Sequence, residues 1–321
     1  MECDPVRDAI LVCPSCGGLS CARCGVCEVC GTRSPMEAGV VRLLDGQDGF
    51  YEGAYQAQVH FSEASLGTLW GRLLLPFITY GYLKAIVRHV PRGAKLLELG
   101  CGSGLQLAAT RYEVAAVDLS LTSLKGAPEG YRHRLQADVT RLEFRPATFD
   151  AIAASCFWEH IAPEQKEVML EKFSRWLRPG GLLVLLFDTE SLNPFFRWFR
   201  EFPDLYKQCF VDHDGHVGLE RASVNLARLE RHGLRLVEGV GLNRTLQHFP
   251  VYTWMAPYGE VRRWAGWVSR AGMWLGQWPR PAQASTALLH SWDLTAGRLF
   301  PLDWSRLYLG VWRRDEAGVV A

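Results

Sequence analysis

The sequence predicts an α/β fold: a mostly parallel sheet covered by helices on both faces, a small cysteine-rich segment ahead of it, and a helical insertion before its last strand. Three observations predict it. Short apolar runs alternate with helical stretches from Lys95 onward. Seven of the 10 cysteines fall within the first 30 residues. Residues 241–305, between the last two strand candidates, are rich in Trp and Pro.

A chain of 321 residues with 48% hydrophobic content can bury one large α/β core plus a small appendage. The formal charge of +1 gives no push towards a nucleic-acid backbone or an anionic membrane, although a local patch can hide in a neutral total. No window of about 18 apolar residues exists, so no transmembrane helix is expected. The N-terminal residues MECDPVRDAILVC show no basic start and no apolar signal-like region. A cytoplasmic protein is therefore expected, with clustered cysteines read as metal ligands and not as a disulfide framework.

The strand candidates are Lys95–Leu99, Glu113–Val117, Arg134–Ala137, Asp150–Ala154 and Leu182–Phe187. Each is short and apolar, and helical stretches separate them, which is the pattern of a parallel sheet. The helix Glu164–Leu177 is closed by Arg178-Pro179-Gly180-Gly181. A later helix, Arg221–His232, leads into Leu234–Val240, and a last strand, Leu307–Arg313, lies near the C-terminus. The expected organisation is a cysteine module over 1–45 and a core over 46–240 with a helical, aromatic lead-in. An insertion over 241–305 and a final strand and tail over 306–321 follow.

The strongest chemical signal is Leu96-Leu97-Glu98-Leu99-Gly100-Cys101-Gly102-Ser103-Gly104, where a strand runs into an acid and then into alternating glycines. Glycines allow a tight turn and close approach of the backbone to a ligand. Open parallel sheets bind ligands at the carboxyl ends of their strands, where this loop falls. Asp118 ends the next strand, 18 residues after Gly100, placed for both hydroxyls of a ribose. Asp138 ends the third strand, in reach of the amino edge of a base. Each acid alone reads equally well as a helix cap; three acids with the glycine loop point to a nucleoside cofactor.

Glu98-Leu99-Gly100-Cys101-Gly102-Ser103-Gly104 resembles the first motif of class I S-adenosylmethionine-dependent methyltransferases of the small-molecule type. Phe149-Asp150-Ala151-Ile152 through Glu159-His160-Ile161 resembles their fourth-strand motif, and Leu177-Arg178-Pro179-Gly180-Gly181 the turn before their fifth strand. The resemblance covers about residues 50–240. It implies a Rossmann-like sheet of seven strands, the last antiparallel, with S-adenosyl-L-methionine as cofactor. It also implies that Gly100, Cys101, Gly102 and Gly104 cradle the methionine part and that Glu98 orients its ammonium. Asp118 would take the ribose, Leu119 would pack on the adenine, and Asp138 with the amide of Val139 would read the adenine edge. Ser155 or Cys156 would close the methionine side, and Tyr51 or Tyr55 would cover it.

The cofactor's methyl is already electrophilic, so the protein must align a nucleophile and exclude water. His160 is the candidate general base, since imidazole exchanges protons near neutrality. Its other reading is the opening of a helix behind Glu159. Phe157 and Trp158 are candidates for the acceptor pocket or for packing. Asp212-His213-Asp214-Gly215-His216 reads as a loop, with His216 lining the pocket or as a solvated turn, and metal binding there is disfavoured.

Three Cys-x-x-Cys-Gly knuckles open the chain: Cys13/Cys16, Cys21/Cys24 and Cys27/Cys30. A tetrahedral zinc site needs two of them brought together. Cys16 to Cys21 leaves four residues, which is tight for a return, whereas Cys16 to Cys27 leaves ten. The expected ligands of a structural Zn2+ are therefore Cys13, Cys16, Cys27 and Cys30. The segment Gly31–Leu44 resembles the end of zinc ribbons fused ahead of bacterial methyltransferases. Cys21 and Cys24 depart from that pattern, and an iron–sulfur run or a metal-free ribbon stays open.

Trp264, Trp267, Trp274 and Trp278 fall near one helical face with Val261, Val268 and Ala271 beside them. Arg262, Arg263 and Arg270 are read as lying away from it. Such a stripe suits a membrane surface or a cover over a lipid-like acceptor; the expectation is core, docking a lid on the sheet. The function expected is methyl transfer to a small-molecule or lipid-linked acceptor, on O, N or C, with peripheral membrane contact left open. The rivals are an RNA methyltransferase using the ribbon for recognition, against which no basic patch stands out, and a non-catalytic cofactor-binding partner protein.

Overall fold

The computed structural model describes residues 4–44, 49–54, 77–245, 247 and 255–315. The N-terminal segment supplies β1 (Ala9–Val12), β2 (Leu19–Cys21), β3 (Met36–Glu37) and β4 (Val40–Arg42). The β/α alternation supplies β5 (Lys95–Leu99), β6 (Glu113–Asp118), β7 (His133–Gln136), β8 (Phe149–Ser155) and β9 (Leu177–Asp188). The chain closes with β10 (Leu234–Leu242) and β11 (Leu307–Arg314).

The main sheet has nine strands in the order β10-β11-β9-β8-β5-β6-β7-β4-β3. β4 through β9 run parallel to one another, β11 is antiparallel to both β9 and β10, and β3 is antiparallel to β4. The seven strands expected from the sequence sit together in this order. The difference is at the edge, where β4 pairs with β7 through Val41 and Leu135 and β3 folds back on β4. The N-terminal segment thus caps an edge that would otherwise present unpaired backbone groups.

Alternation along the strands sends side chains to two cores. Leu97, Leu99, Ala115 and Val117 face one side, while Leu96, Val114 and Ala116 face the other. Helix Pro163–Trp176 covers the first side; Pro163 opens it, and Met169, Leu170, Phe173 and Trp176 are buried at helical spacing. Helix Phe77–His89 covers the second with Tyr82, Ala85 and Ile86. Residues 55–76 of the expected helical lead-in, Tyr55 among them, lie outside the described residues.

The stop at Arg178–Gly181 takes a form the sequence did not suggest. The helix ends at Trp176, and β9 begins at once, with Leu177 opposite Phe149 and Leu182 opposite Ala151. The four intervening residues form an excursion in the pairing, with Gly180 in the left-handed region at φ +74°.

The Trp-rich insertion folds as two helices, Arg263–Gly276 and Pro279–Leu294, packed against each other. The core role expected for the Trp stripe is corrected. The buried face of the first helix is small, with Ala265 and Ser269 fully covered and Gly266 against Gly259, while Trp264, Trp267, Trp274 and Trp278 are exposed. Small residues let the helix backbone approach closely, and that turns the large side chains outward. Arg270 is also not away from the stripe: its guanidinium lies over the Trp267 ring, 5.9 Å from the centroid.

Candidate functional site

The loop after β5 has the conformation its glycines allow. Gly100, Gly102 and Gly104 all lie in the left-handed region, at φ +58°, +53° and +68°. A Cβ on Gly104 would come within 2.8 Å of the Tyr131 ring, and one on Gly100 within 3.1 Å of Phe157. Phe157 is thereby seated over the start of the loop. A Cβ on Gly102 would meet nothing within 4 Å, so this backbone faces open space. Glu98, almost fully buried at the end of β5, accepts a hydrogen bond from the Tyr131 hydroxyl, which itself accepts from the Leu105 amide at 2.7 Å. Tyr131 was not singled out in the sequence. Cys101 is half-buried within the loop.

Asp118 is tied to this loop. One carboxylate oxygen accepts the Gly102 amide at 2.8 Å and the other the Ser120 amide at 2.8 Å. Burial pushes its carboxyl up, and those two amides oppose the shift. The cap of the following helix, Leu121–Lys125, is Ser120 and not Asp118, since the Ser120 hydroxyl accepts the Ser123 amide at 3.0 Å. A second carboxylate, Glu52 from the lead-in, accepts the amides of Leu121 and Thr122, bringing residues 50–54 onto the cofactor side of the sheet. Leu119 is half-buried beside them. Asp138 is held by the Thr140 amide at 2.9 Å, the Thr140 hydroxyl at 2.7 Å and Arg141 at 3.3 Å, with the Val139 side chain buried next to it.

On the far side of the loop, Ser155 ends β8 and Cys156 is exposed with φ +52°, a strained position for a residue with a Cβ. Trp158 is corrected as an acceptor-pocket candidate. It is 1% exposed, and its indole N–H donates to Asn225 at 2.7 Å, which locks it in the core. His160 ends the short turn Trp158–His160, with Nδ1 3.1 Å from the Gly215 carbonyl and 3.4 Å from the Tyr51 hydroxyl. Burial lowers its basicity, and neighbouring His216 adds to that.

His216 lies beside it, ring centroids 5.2 Å apart, and its Nε2 is 3.5 Å from Asp188 at the end of β9. Arg306 approaches the same Asp188 oxygen at 3.9 Å. Asp188, Phe196, Tyr206, Phe210, His216 and Arg306 line a small cavity here. Lys166 fixes the segment carrying His216 by donating to the Gly218 carbonyl at 2.5 Å and pairing with Glu220 at 3.0 Å. The rest of that segment is a solvated turn, in which Asp212 pairs with Lys207 and His213 with Asp214. Glu159 is fully buried, and burial together with Asp188 holds its carboxyl well above the usual carboxylate range. Asp188 was missed in the sequence. The strand-end rule that found Asp118 and Asp138 applies equally to Leu185-Leu186-Phe187-Asp188.

At the N-terminus, the sulfurs of Cys13, Cys16, Cys27 and Cys30 all lie within 4.8 Å of one another. Cys13 to Cys30 is 3.9 Å and Cys16 to Cys27 is 3.6 Å. A tetrahedral zinc with bonds of about 2.3 Å requires sulfurs about 3.8 Å apart, so the four thiols fit that ion. Each knuckle turns on a left-handed glycine, Gly17 after Cys16 and Gly31 after Cys30, whose amides donate to the carbonyls of Cys13 and Cys27. The Cys21/Cys24 pair makes the same turn on Gly25 but stands outside the cluster. Cys21 is disulfide-bonded, which takes its sulfur out of the set of metal ligands.

Comparison with known proteins bears on the central part of this arrangement. Residues 97–185 match the model of a family described as a methyltransferase domain. That stretch runs through the glycine loop, Asp118, Asp138 and His160 into β9. Ubiquinone biosynthesis O-methyltransferase of Xylella fastidiosa is 34% identical over 124 residues, 35% of this chain and 50% of that protein. Ubiquinone/menaquinone biosynthesis C-methyltransferase UbiE of Syntrophotalea carbinolica is 34% identical over 139 residues, 39% of this chain and 58% of that protein. The chain thus spans about half the length of these curated relatives. Among solved structures, phosphoethanolamine N-methyltransferase 2 of Haemonchus contortus has a TM-score of 0.47 at 16% identity, covering 81% of this chain and 61% of that one.

Proposed function

We propose that the chain is an S-adenosylmethionine-dependent methyltransferase acting on a small-molecule or lipid-linked acceptor. The observation that carries this reading is the left-handed glycine loop hydrogen-bonded through Gly102 to Asp118, at the carboxyl ends of adjacent parallel strands. Gly100, Cys101, Gly102 and Gly104 hold the methionine portion, with Glu98 near its ammonium. Asp118 binds the ribose: its two oxygens carry one amide each, and a carboxylate has about four acceptor sites, so two hydroxyls can still be met. Leu119, Asp138 and Val139 take the adenine, and Ser155, Cys156 and Tyr51 border the methyl side. When bound, the cofactor supplies an electrophilic methyl group.

The acceptor side consists of Phe157, His160 and His216, with Asp188 behind. Because the Gly215 carbonyl can only accept, the His160 nitrogen facing it carries the proton, and Nε2 is the basic nitrogen. Lowered basicity keeps that nitrogen unprotonated near neutrality, ready to take a proton from a hydroxyl or amine acceptor. Asp188 and His216 position the ring. The relatives named for ubiquinone and menaquinone biosynthesis, one an O- and one a C-methyltransferase, support a small-molecule acceptor. A structural zinc on Cys13, Cys16, Cys27 and Cys30 would stabilise the N-terminal segment and do no chemistry.

The test is calorimetric titration with S-adenosylhomocysteine. Two charge-assisted hydrogen bonds at about 1.5–3 kcal/mol each predict that Asp118→Ala weakens binding about a hundredfold or more. Unchanged affinity in that variant would remove Asp118 from the site, and no binding to the unaltered protein would overturn the function.

A further inference from the structure

The two insertion helices expose an apolar face for which the fold supplies no cover among the described residues. Trp267 is 70% exposed, Trp274 62%, Leu288 72% and Leu299 88%, and Trp278, Met273 and Trp292 stand out beside them. Seven large apolar side chains exposed within one helical pair and the turn that follows it mark an interaction site. The opposite face of the first helix is tightly closed by Ala265, Gly266 and Ser269.

Charge decides what this face fits. Residues 260–292 contain Arg262, Arg263, Arg270 and Arg280 against one acid, exposed Glu260, a charge of +3 in a chain whose total is +1. The next acid, Asp293, is buried and accepts the Asn243 amide at 2.6 Å, so it does not offset the exposed arginines. At 100° per residue, Arg263, Trp267, Arg270 and Trp274 fall within about 60° of one another on the helix. Arg262, Arg263, Arg270 and Arg298 are all exposed. Tryptophan favours the boundary between hydrocarbon and water, and arginine pairs with phosphate in a fork geometry. No helix among the described residues is long and apolar enough to cross a membrane, so the contact is one of lying on the surface.

We propose that the outer face of helices Arg263–Gly276 and Pro279–Leu294 docks on an anionic lipid bilayer. Trp267, Trp274 and Trp278 seat at headgroup depth, Leu288 and Leu299 enter beside them, and Arg262, Arg263 and Arg270 meet the phosphates. The proposal does not depend on which acceptor is methylated.

The experiment is co-sedimentation of the full chain with vesicles of phosphatidylglycerol and phosphatidylcholine in equal parts, against vesicles of phosphatidylcholine alone. The unaltered protein is expected to bind the mixed vesicles at least tenfold more tightly. The double variant Trp267→Ser/Trp274→Ser should lose at least tenfold on mixed vesicles. The triple variant Arg262→Gln/Arg263→Gln/Arg270→Gln should lose a similar amount and with it most of the salt dependence. Both variants alter exposed positions, and unchanged thermal melting verifies that they fold. Equal binding to both vesicle types, no binding to either, or variants that bind like the parent would each overturn the proposal. So would a dimer in sedimentation that the Trp variant disperses while vesicles retain nothing, since the face would then join two copies of the chain.

Discussion

Burial of the His160 ring against His216 lowers its basicity below the usual imidazole value of about 6.5. A general base works in its neutral form, so the acidic limb of the turnover profile is predicted to lie below that value. Measured rates from pH 5 to 8 should stay level down to about 6.5 and fall only beneath it. His160→Gln should slow turnover by about a hundredfold or more while leaving cofactor affinity unaltered, and the acidic limb should vanish. A rate unchanged in that variant would leave His160 with a packing role. At this scale the sequence was legible wherever a residue's position along a strand settled its placement. Asp118 and the three glycines stand at strand ends, and strand ends are visible as the close of an apolar run. Trp158 was not legible, because a Trp beside a strand end reads alike as pocket wall or core. Its partner Asn225 lies 67 residues away and is brought close only by the fold. Tyr131 escaped for the same reason, since its bond to Glu98 spans 33 residues.

Among elements, the cysteine knuckles show how far spacing alone can reach. The ten-residue gap from Cys16 to Cys27 selected the four sulfurs that the fold gathers, because a tetrahedral site needs a chain long enough to return. One zinc per chain is expected by atomic absorption, kept in Cys24→Ser and lost in Cys27→Ser. A stoichiometric metal surviving Cys27→Ser would contradict the assignment. The insertion shows where periodicity misleads. Four Trp at helical spacing define a face, but which face is buried depends on what the other side offers. Here a strip of Ala, Gly and Ser permits closer backbone packing than indoles would, so the small side goes in. Arg263 and Arg270 were assigned to the opposite side, although helical geometry puts positions three and four apart on one surface.

Across the whole molecule, the N-terminal segment is bound into the core. Ile10, Leu11, Ala22 and Val41 share a cluster with Leu97 and Val117, and β3 and β4 extend the sheet. Buried Asp8 ties the segment to Arg132 at 2.7 Å and lies 3.7 Å from the His133 ring. The count of seven strands came from resemblance, and family patterns do not show an added edge; the pairing of β4 with β7 joins residues about ninety positions apart. Burial, with Arg132 adding to it and Asp8 opposing, lowers His133 to about 4. A folded-state value below the unfolded one of about 6.5 means that the unfolded chain takes up a proton the folded chain refuses. Stability is therefore predicted to fall as pH drops from about 6.5 towards 4, by up to about 3 kcal/mol. Urea midpoints at pH 7 and pH 5 measure this, and the difference should shrink in His133→Gln; a difference of the same size in that variant would place its origin elsewhere.

The most direct test of the central claim is incubation of the protein with S-adenosylmethionine labelled in its methyl group and an extract of cells lacking the gene. The label is then divided among RNA, solvent-extractable and water-soluble small-molecule fractions. Label is expected in a small-molecule or solvent-extractable fraction, absent from RNA and absent with Asp118→Ala. Label in RNA, or no label in any fraction from a protein that fails to bind S-adenosylhomocysteine, would contradict it.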